Sequence, residues 1–293
     1  MTHSRAIVSL VAVTAVWGAA FTVIKIGLDD ASPMVLLACR FLLATLLLGF
    51  AVRGLGGREL RAGLLVGVLF FLGFVFQTNG LAYTTPSRSA FITALSVPFT
   101  PLIVFAVHRE LPRPAIIGGV VLAILGALLL TDPAGGGLNI GDLLTVGSAA
   151  AFAGQIVAGG HFVKTIAPHR LLLVELALTA MLSLAFAPVI DRPPRLDPSL
   201  VLAGALAFLS ITAVATFWVQ LRAQQVVSPS ETALVFSLEP VFAAIVSWLV
   251  FAETLSAVQW LGGGLILTGM LLPEAAQKRF RGRRAAPSPR RRA

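Results

Sequence analysis

Charge is what this sequence has least of. Asp, Glu, Lys and Arg make up 12% of 293 residues, against about 25% in a soluble domain. With 57% hydrophobic residues and a mean hydropathy of +0.91, the chain carries more apolar surface than one core can hide, which excludes a soluble globular protein. Cysteine is nearly absent. Cys39 stands alone in an apolar run, so a disulfide framework and a cysteine-based metal site are both excluded. The four histidines, His3, His108, His161 and His169, fall at or near the ends of apolar runs. No acidic cluster accompanies them, so neither a metal site nor a nucleophile–base pair is expected, and no cofactor is implied. The glycines Gly135, Gly136 and Gly137 follow no strand, which removes a phosphate-binding reading. The formal charge is +9, but 8 of the 22 Lys and Arg residues lie after Pro273. The basicity is local, and nucleic acid is not an expected partner.

Long apolar runs are what the chain does have. About 20 apolar residues cross the hydrocarbon core of a bilayer as a helix, and backbone groups in lipid must be satisfied within the segment. Ten such runs predict an all-α integral membrane protein with spans near 6–26, 34–52, 62–82, 88–107, 114–131, 142–162, 170–190, 200–221, 231–251 and 257–273. The first is full-length and has a counterpart later in the chain, so it is expected to span and not to be a cleaved leader. With the N-terminus placed inside, 17 Lys and Arg residues fall on the inner side and three, Arg88, Arg192 and Arg195, on the outer. The positive-inside rule then predicts a multi-pass protein of the cell membrane with both termini cytoplasmic.

The chain also repeats itself. Pro98 and Pro240 are 142 residues apart; Glu110 and Glu253, and Gly126 and Gly269, are 143 apart. Earlier, Trp17 and Phe152, Gly18 and Ala153, Pro33 and Pro168, and Arg40 and Glu175 are each 135 apart. This register gives one residue gained between the proline and the glutamate, and places Val97 opposite Glu239. A match at such spacing is the mark of a repeat architecture. The predicted units are 1–136 and 137–273 with five spans each, followed by a basic tail, 274–293, expected to be disordered and attracted to anionic lipid. Five is odd, so tandem units run in opposite directions through the membrane and place Glu110 and Glu253 on opposite faces. Inverted repeats around a central site are a common plan for secondary transporters.

The residues that carry this pattern also resemble a known family. Trp17-Gly18 followed by Phe21, Lys25, Pro33 and Arg40-Phe41 is similar to the opening of the EamA-type domain of the drug/metabolite transporter superfamily. So are the run from Gly80 to Ser87, the segment from Leu238 to Phe242, and Glu253-Thr254-Leu255-Ser256 followed by Gly262. The resemblance covers about residues 6–273. It implies a ten-helix, two-repeat carrier for small organic solutes, often an exporter of amino acids, metabolites or toxic compounds. The first half departs from the pattern in having Arg109-Glu110-Leu111-Pro112. An intramembrane enzyme and a channel or assembly subunit are the alternatives on the same scaffold.

Glu239 is the leading candidate for the chemistry of transport. It lies about nine residues into its span, near the midplane at 1.5 Å per residue, and an acid at that depth is a functional hypothesis by default. Its expected role is to bind a proton or a cationic group. An ionised carboxylate there needs a partner, and no Lys or Arg is expected at its depth. Pro98 and Pro240 are expected to break their helices near the midplane, since proline cannot donate to the helical ladder. Trp17, Phe21, Gln77, Asn79, Phe91, Thr93, Gln155, His161, Trp218, Gln220 and Phe236 are the residues available to line a cavity of apolar walls with a few polar groups. The charged residues in or near spans are Lys25, Arg40 and Glu175; Arg40 and Glu175 are expected to snorkel or to bond to helix ends, and Lys25, placed where it could attract anionic solutes, is expected to snorkel. Of Phe70, Phe71, Phe74 and Phe76, some are expected to face lipid. Dense Gly and Ala in the fifth, sixth and tenth spans predict close helix packing, with a homodimer face among the options. The expected partners are a small-molecule substrate, the lipid bilayer and protons as coupling ion.

Overall fold

The computed structural model describes residues 1–108, 114–130 and 137–285. Glu110 and residues 286–293 lie outside them. The described residues form twelve α-helices: α1 His3–Asp30, α2 Pro33–Leu47, α3 Gly57–Ala82, α4 Pro86–Thr93, α5 Ser96–His108, α6 Pro114–Leu130, α7 Ile140–Phe162, α8 Pro168–Ile190, α9 Leu200–Ala223, α10 Pro229–Phe236, α11 Glu239–Phe251 and α12 Ala257–Ala285. A 3-10 turn, Gly49–Val52, follows α2. Seven helical stretches are long and apolar enough to cross a membrane, counting 86–107 and 229–251 as one each, and Pro33–Leu47 and Ile117–Leu130 are shorter apolar helices. Five helices begin on a proline, where the missing N–H has no intrahelical partner to lose. The final helix continues to Ala285.

Two of the expected spans are broken. The first break separates α4 from α5 at Ala94–Leu95, and the second separates α10 from α11 at Ser237–Leu238. Pro98 cannot donate to the Ala94 carbonyl, which takes the Val97 N–H instead, one residue early, at 2.9 Å. Pro240 likewise leaves the Phe236 carbonyl without its usual donor, and the flanking bonds, Ser237 to Leu234 and Leu238 to Val235, tighten to the same three-residue spacing. Proline thus converts each span into two short helices.

These breaks correct the register of the repeat. Helices α4 and α10 have eight residues each, α5 and α11 thirteen each, and every boundary of one pair is 143 residues from its counterpart. No residue is gained between the proline and the glutamate. The counterpart of Glu239 is Ser96, not Val97. Proline misled the alignment because any position in the first helical turn tolerates it: those N–H groups have no helical acceptor.

The packing pairs one half with the other. α6 lies on α12, α2 on α8, α3 on α7 and α1 on α9. Gly126 and Gly262 touch backbone to backbone: a Cβ on Gly126 would sit 2.5 Å from the Gly262 carbonyl oxygen, and one on Gly262 2.6 Å from that of Gly126. Gly119 meets Gly269 one turn-pair away, so α6 and α12 cross antiparallel through small residues. Asp191, at the end of α8, accepts from the N–H groups of Met34 and Val35 at 3.1 and 3.2 Å and from the Ser32 hydroxyl at 2.5 Å. A carboxylate there complements the N-terminal end of the α2 dipole.

One buried cluster joins α2, α3, α8 and α9 around Phe41, Phe70, Phe74 and Phe217. Phe70, Phe71 and Phe74 are all buried, and Phe76 is the one of the four left partly exposed. Helix α3 packs against both α7 and α8 and also touches α2, so neighbours cover more of its circumference than one stripe.

Candidate functional site

The breaks in the fourth and ninth spans open onto one cavity. The space between its walls, the open mouth and the solvent in it included, is about 640 Å³. α1 contributes Trp17, Ala20, Phe21 and Ile24; α2, Arg40; α3, Phe74 and Gln77; α4 and α5, Thr93 and Ser96. From the other half come Phe152, Gln155 and Ile156 on α7, Thr212, Ala213, Thr216, Phe217 and Gln220 on α9, Phe236 on α10 and Glu239 on α11.

Several of these residues correspond to each other in the register of the repeat. Trp17 and Phe152, Ala20 and Gln155, and Phe21 and Ile156 are 135 residues apart. Phe74 and Phe217, Gln77 and Gln220, Thr93 and Phe236, and Ser96 and Glu239 are 143 apart, and both members of every pair line the cavity. Phe74, Phe152, Phe217 and Ser96 were not among the residues expected to line a cavity. The signal was there: carrying Trp17, Gln77 and Glu239 through the corrected register leads to the same part of the wall.

An aromatic cluster forms the apolar side. Trp17 packs against Phe217 and Phe236 with ring centroids 4.9 and 4.8 Å away. Its indole N–H donates to the Thr216 hydroxyl at 2.8 Å, which fixes the ring and satisfies its polar edge. A chain of amides forms the polar side. Gln220 donates to Gln155 at 3.2 Å, and Gln155 donates to Glu175 at 3.2 Å. Glu175 is 0% exposed and sits behind the wall, its Oε1 without a hydrogen-bond partner.

Arg40 and Glu175 depart from their expected surroundings. Arg40 does not snorkel. It is 3% exposed, lines the cavity, and lies over the rings of Phe41 and Phe74 at 4.6 and 4.9 Å. Glu175 is buried with Gln155 and not at an interface. Lys25 bonds to a helix end, donating to the carbonyls of Leu81 at 2.8 Å and Thr84 at 3.0 Å where α3 finishes. Glu239 thus shares its cavity with a cation, which depth along the helices alone did not foresee.

Four expected wall residues lie elsewhere. Asn79 donates to the carbonyl of Val75 in its own helix at 2.8 Å. Phe91 is buried in a cluster with Ile92 and Ile266, against Gly263. Trp218 is 37% exposed on the outside of α9, and His161 is exposed near the end of α7. Pro98 and Pro240 act through the backbone and do not line the space. Among the described residues, no three His, Cys, Asp or Glu side chains come together to hold a metal.

The whole chain has relatives of the same build. An uncharacterized transporter of Archaeoglobus fulgidus is 33% identical over 263 residues, covering 90% of this chain and 83% of its own length. A probable amino-acid metabolite efflux pump of Escherichia coli is 25% identical over 281 residues, covering 89% and 91%. A solved crystal structure superposes with a TM-score of 0.69 at 18% identity, over 95% of this chain and 99% of that one, a likeness of fold alone. The relatives are named as transporters or efflux pumps and not as enzymes, and the apolar helices belong to a multi-pass membrane protein. Residues 4–132 and 139–273 both match one family, so the chain belongs to the EamA-like transporter family.

Proposed function

We propose that the protein is a secondary active transporter that exports a small organic solute by alternating access. In this reading ten spans form two inverted repeats, 1–136 and 137–273, with both termini cytoplasmic. The two units rock about the cavity and open it to one side at a time. The observation that carries the reading is the wall itself, built from register-matched residues of both halves, so that motion of one half against the other must reshape it. The antiparallel crossing of α6 and α12 supports the opposed orientation of the units. Export follows the names of the Escherichia coli and Salmonella typhimurium relatives, both probable amino-acid metabolite efflux pumps. Glu239 is the coupling residue: an acid on the cavity wall, at a helix break, with only Ser96 in its place across the repeat.

Counterflow tests this. Purified protein in liposomes preloaded with a mixture of amino acids is given a trace of the same labelled mixture outside. A carrier accumulates label transiently above equilibrium, with saturable dependence on the internal pool. Flux that is linear in concentration and shows no overshoot would assign a channel instead.

A further inference from the structure

Arg40 is a cation inside the membrane with no anion on it. Its side chain is 3% exposed, and its Nε and Nη1 are buried without hydrogen-bond partners. The rings of Phe41 and Phe74 cover the guanidinium, and a ring face attracts a cation without using its N–H donors. No ion pair to Arg40 forms among the described residues. A buried charge is ordinarily paired, and this one is held on the wall of the cavity. Its place in the other half is taken by Glu175, which is turned away behind Gln155. The positive pole of the cavity therefore comes from one half only.

We propose that Arg40 is an anion subsite of the cavity and takes the carboxylate of the transported solute. The proposal rests on the carrier reading above and adds the class of cargo: a carboxylate whose apolar body lies against Trp17, Phe217 and Phe236. Guanidinium suits this role because its planar donors match the two carboxylate oxygens, and it stays charged where an ammonium is more readily neutralised. Binding supplies the partner that the free protein lacks. The aromatic faces hold the guanidinium in place while the cavity is empty, so the subsite is formed before the solute arrives.

The test compares each acid with its carboxamide, which keeps shape and loses charge. Binding of 3-phenylpropionate, L-phenylalanine and L-leucine, each beside its amide, is measured on the purified full chain in detergent by calorimetry. The wild type is expected to prefer acid over amide by at least about tenfold for one of the three, as for a charge-assisted pair. Arg40→Gln is expected to erase that preference, chiefly through loss of acid affinity. Arg40→Lys, which keeps charge but not the planar fork, is expected to retain part of it and serves if the Gln variant does not fold. Equal binding of acid and amide by the wild type, no binding of any acid, or an acid preference that survives in the Arg40 variants would overturn the proposal. Because binding is read without flux, acid binding at Arg40 with no counterflow would sink the carrier reading and leave this subsite standing.

Discussion

Glu253 holds Ser87. Its carboxylate, in the link between α11 and α12, accepts from the Ser87 hydroxyl at 2.8 Å and from the Ser87 N–H at 3.3 Å, and also from the Ser247 hydroxyl. Ser87 lies in the first turn of α4, in the first half of the chain, and Glu253 lies in the second, so one carboxylate ties the two halves together at that face. Nearby, Arg88 pairs with the fully buried Asp142 at the start of α7 and donates to the Gly137 carbonyl. The start of α4 is thus fastened at two successive residues.

Ser87→Ala combined with Glu253→Ala measures that tie. Each single change is expected to cost about 1.5–3 kcal/mol, as for hydrogen bonds to a charged group. The double variant is expected to cost less than the sum, by about 1 kcal/mol, because both changes remove one interaction. Thermal unfolding of the four proteins in detergent gives the cycle; additive losses would mean the two residues act apart.

Gly126 and Gly264 make opposite predictions on adjacent helices. Gly126→Ala places a methyl group against the backbone of Gly262 and Ile266, which cannot swing away as a side chain can. A loss of about 1–3 kcal/mol is expected, typical of overpacking. At Gly264 a Cβ meets nothing within 4 Å. Gly264→Ala is expected to be neutral or to stabilise by about 0.5–1 kcal/mol through helix propensity. Equal midpoints for the two variants would contradict the α6–α12 crossing.

Gly57 and Leu200 test the opposed orientation of the halves. They begin α3 and α9, are 143 residues apart, and are both exposed. Single cysteines there, in a Cys39→Ala background, are expected to react with an impermeant maleimide from opposite sides of the membrane. Labelling from one side would end the inverted reading.

Glu239→Gln separates coupling from recognition. The amide keeps the shape of the acid and cannot exchange a proton. If the acid couples transport, the variant is expected to lose accumulation driven by a pH gradient and to keep exchange at equal pH on both sides. Accumulation indistinguishable from wild type, at every gradient tried, would reduce Glu239 to a structural group.

Much of this protein was legible in one dimension. Hydropathy alone placed the apolar segments, since length and burial in lipid depend only on composition along the chain. The prolines marked both helix breaks, because a missing N–H is a local fact. Trp17, Gln77, Gln155, Gln220 and Glu239 were found because polar and aromatic groups are conspicuous in apolar helices. What the sequence did not contain is rotation. Depth along a helix follows from counting, but the direction a side chain faces depends on which helices surround it. Asn79 and Gln77 are two residues apart, yet Gln77 meets the cavity while Asn79 bonds back to its own helix. Arg40 was expected at the interface because a long side chain can reach water from that depth. Tertiary packing decided otherwise, placing the rings of Phe41 and Phe74 over its guanidinium and turning it toward the cavity.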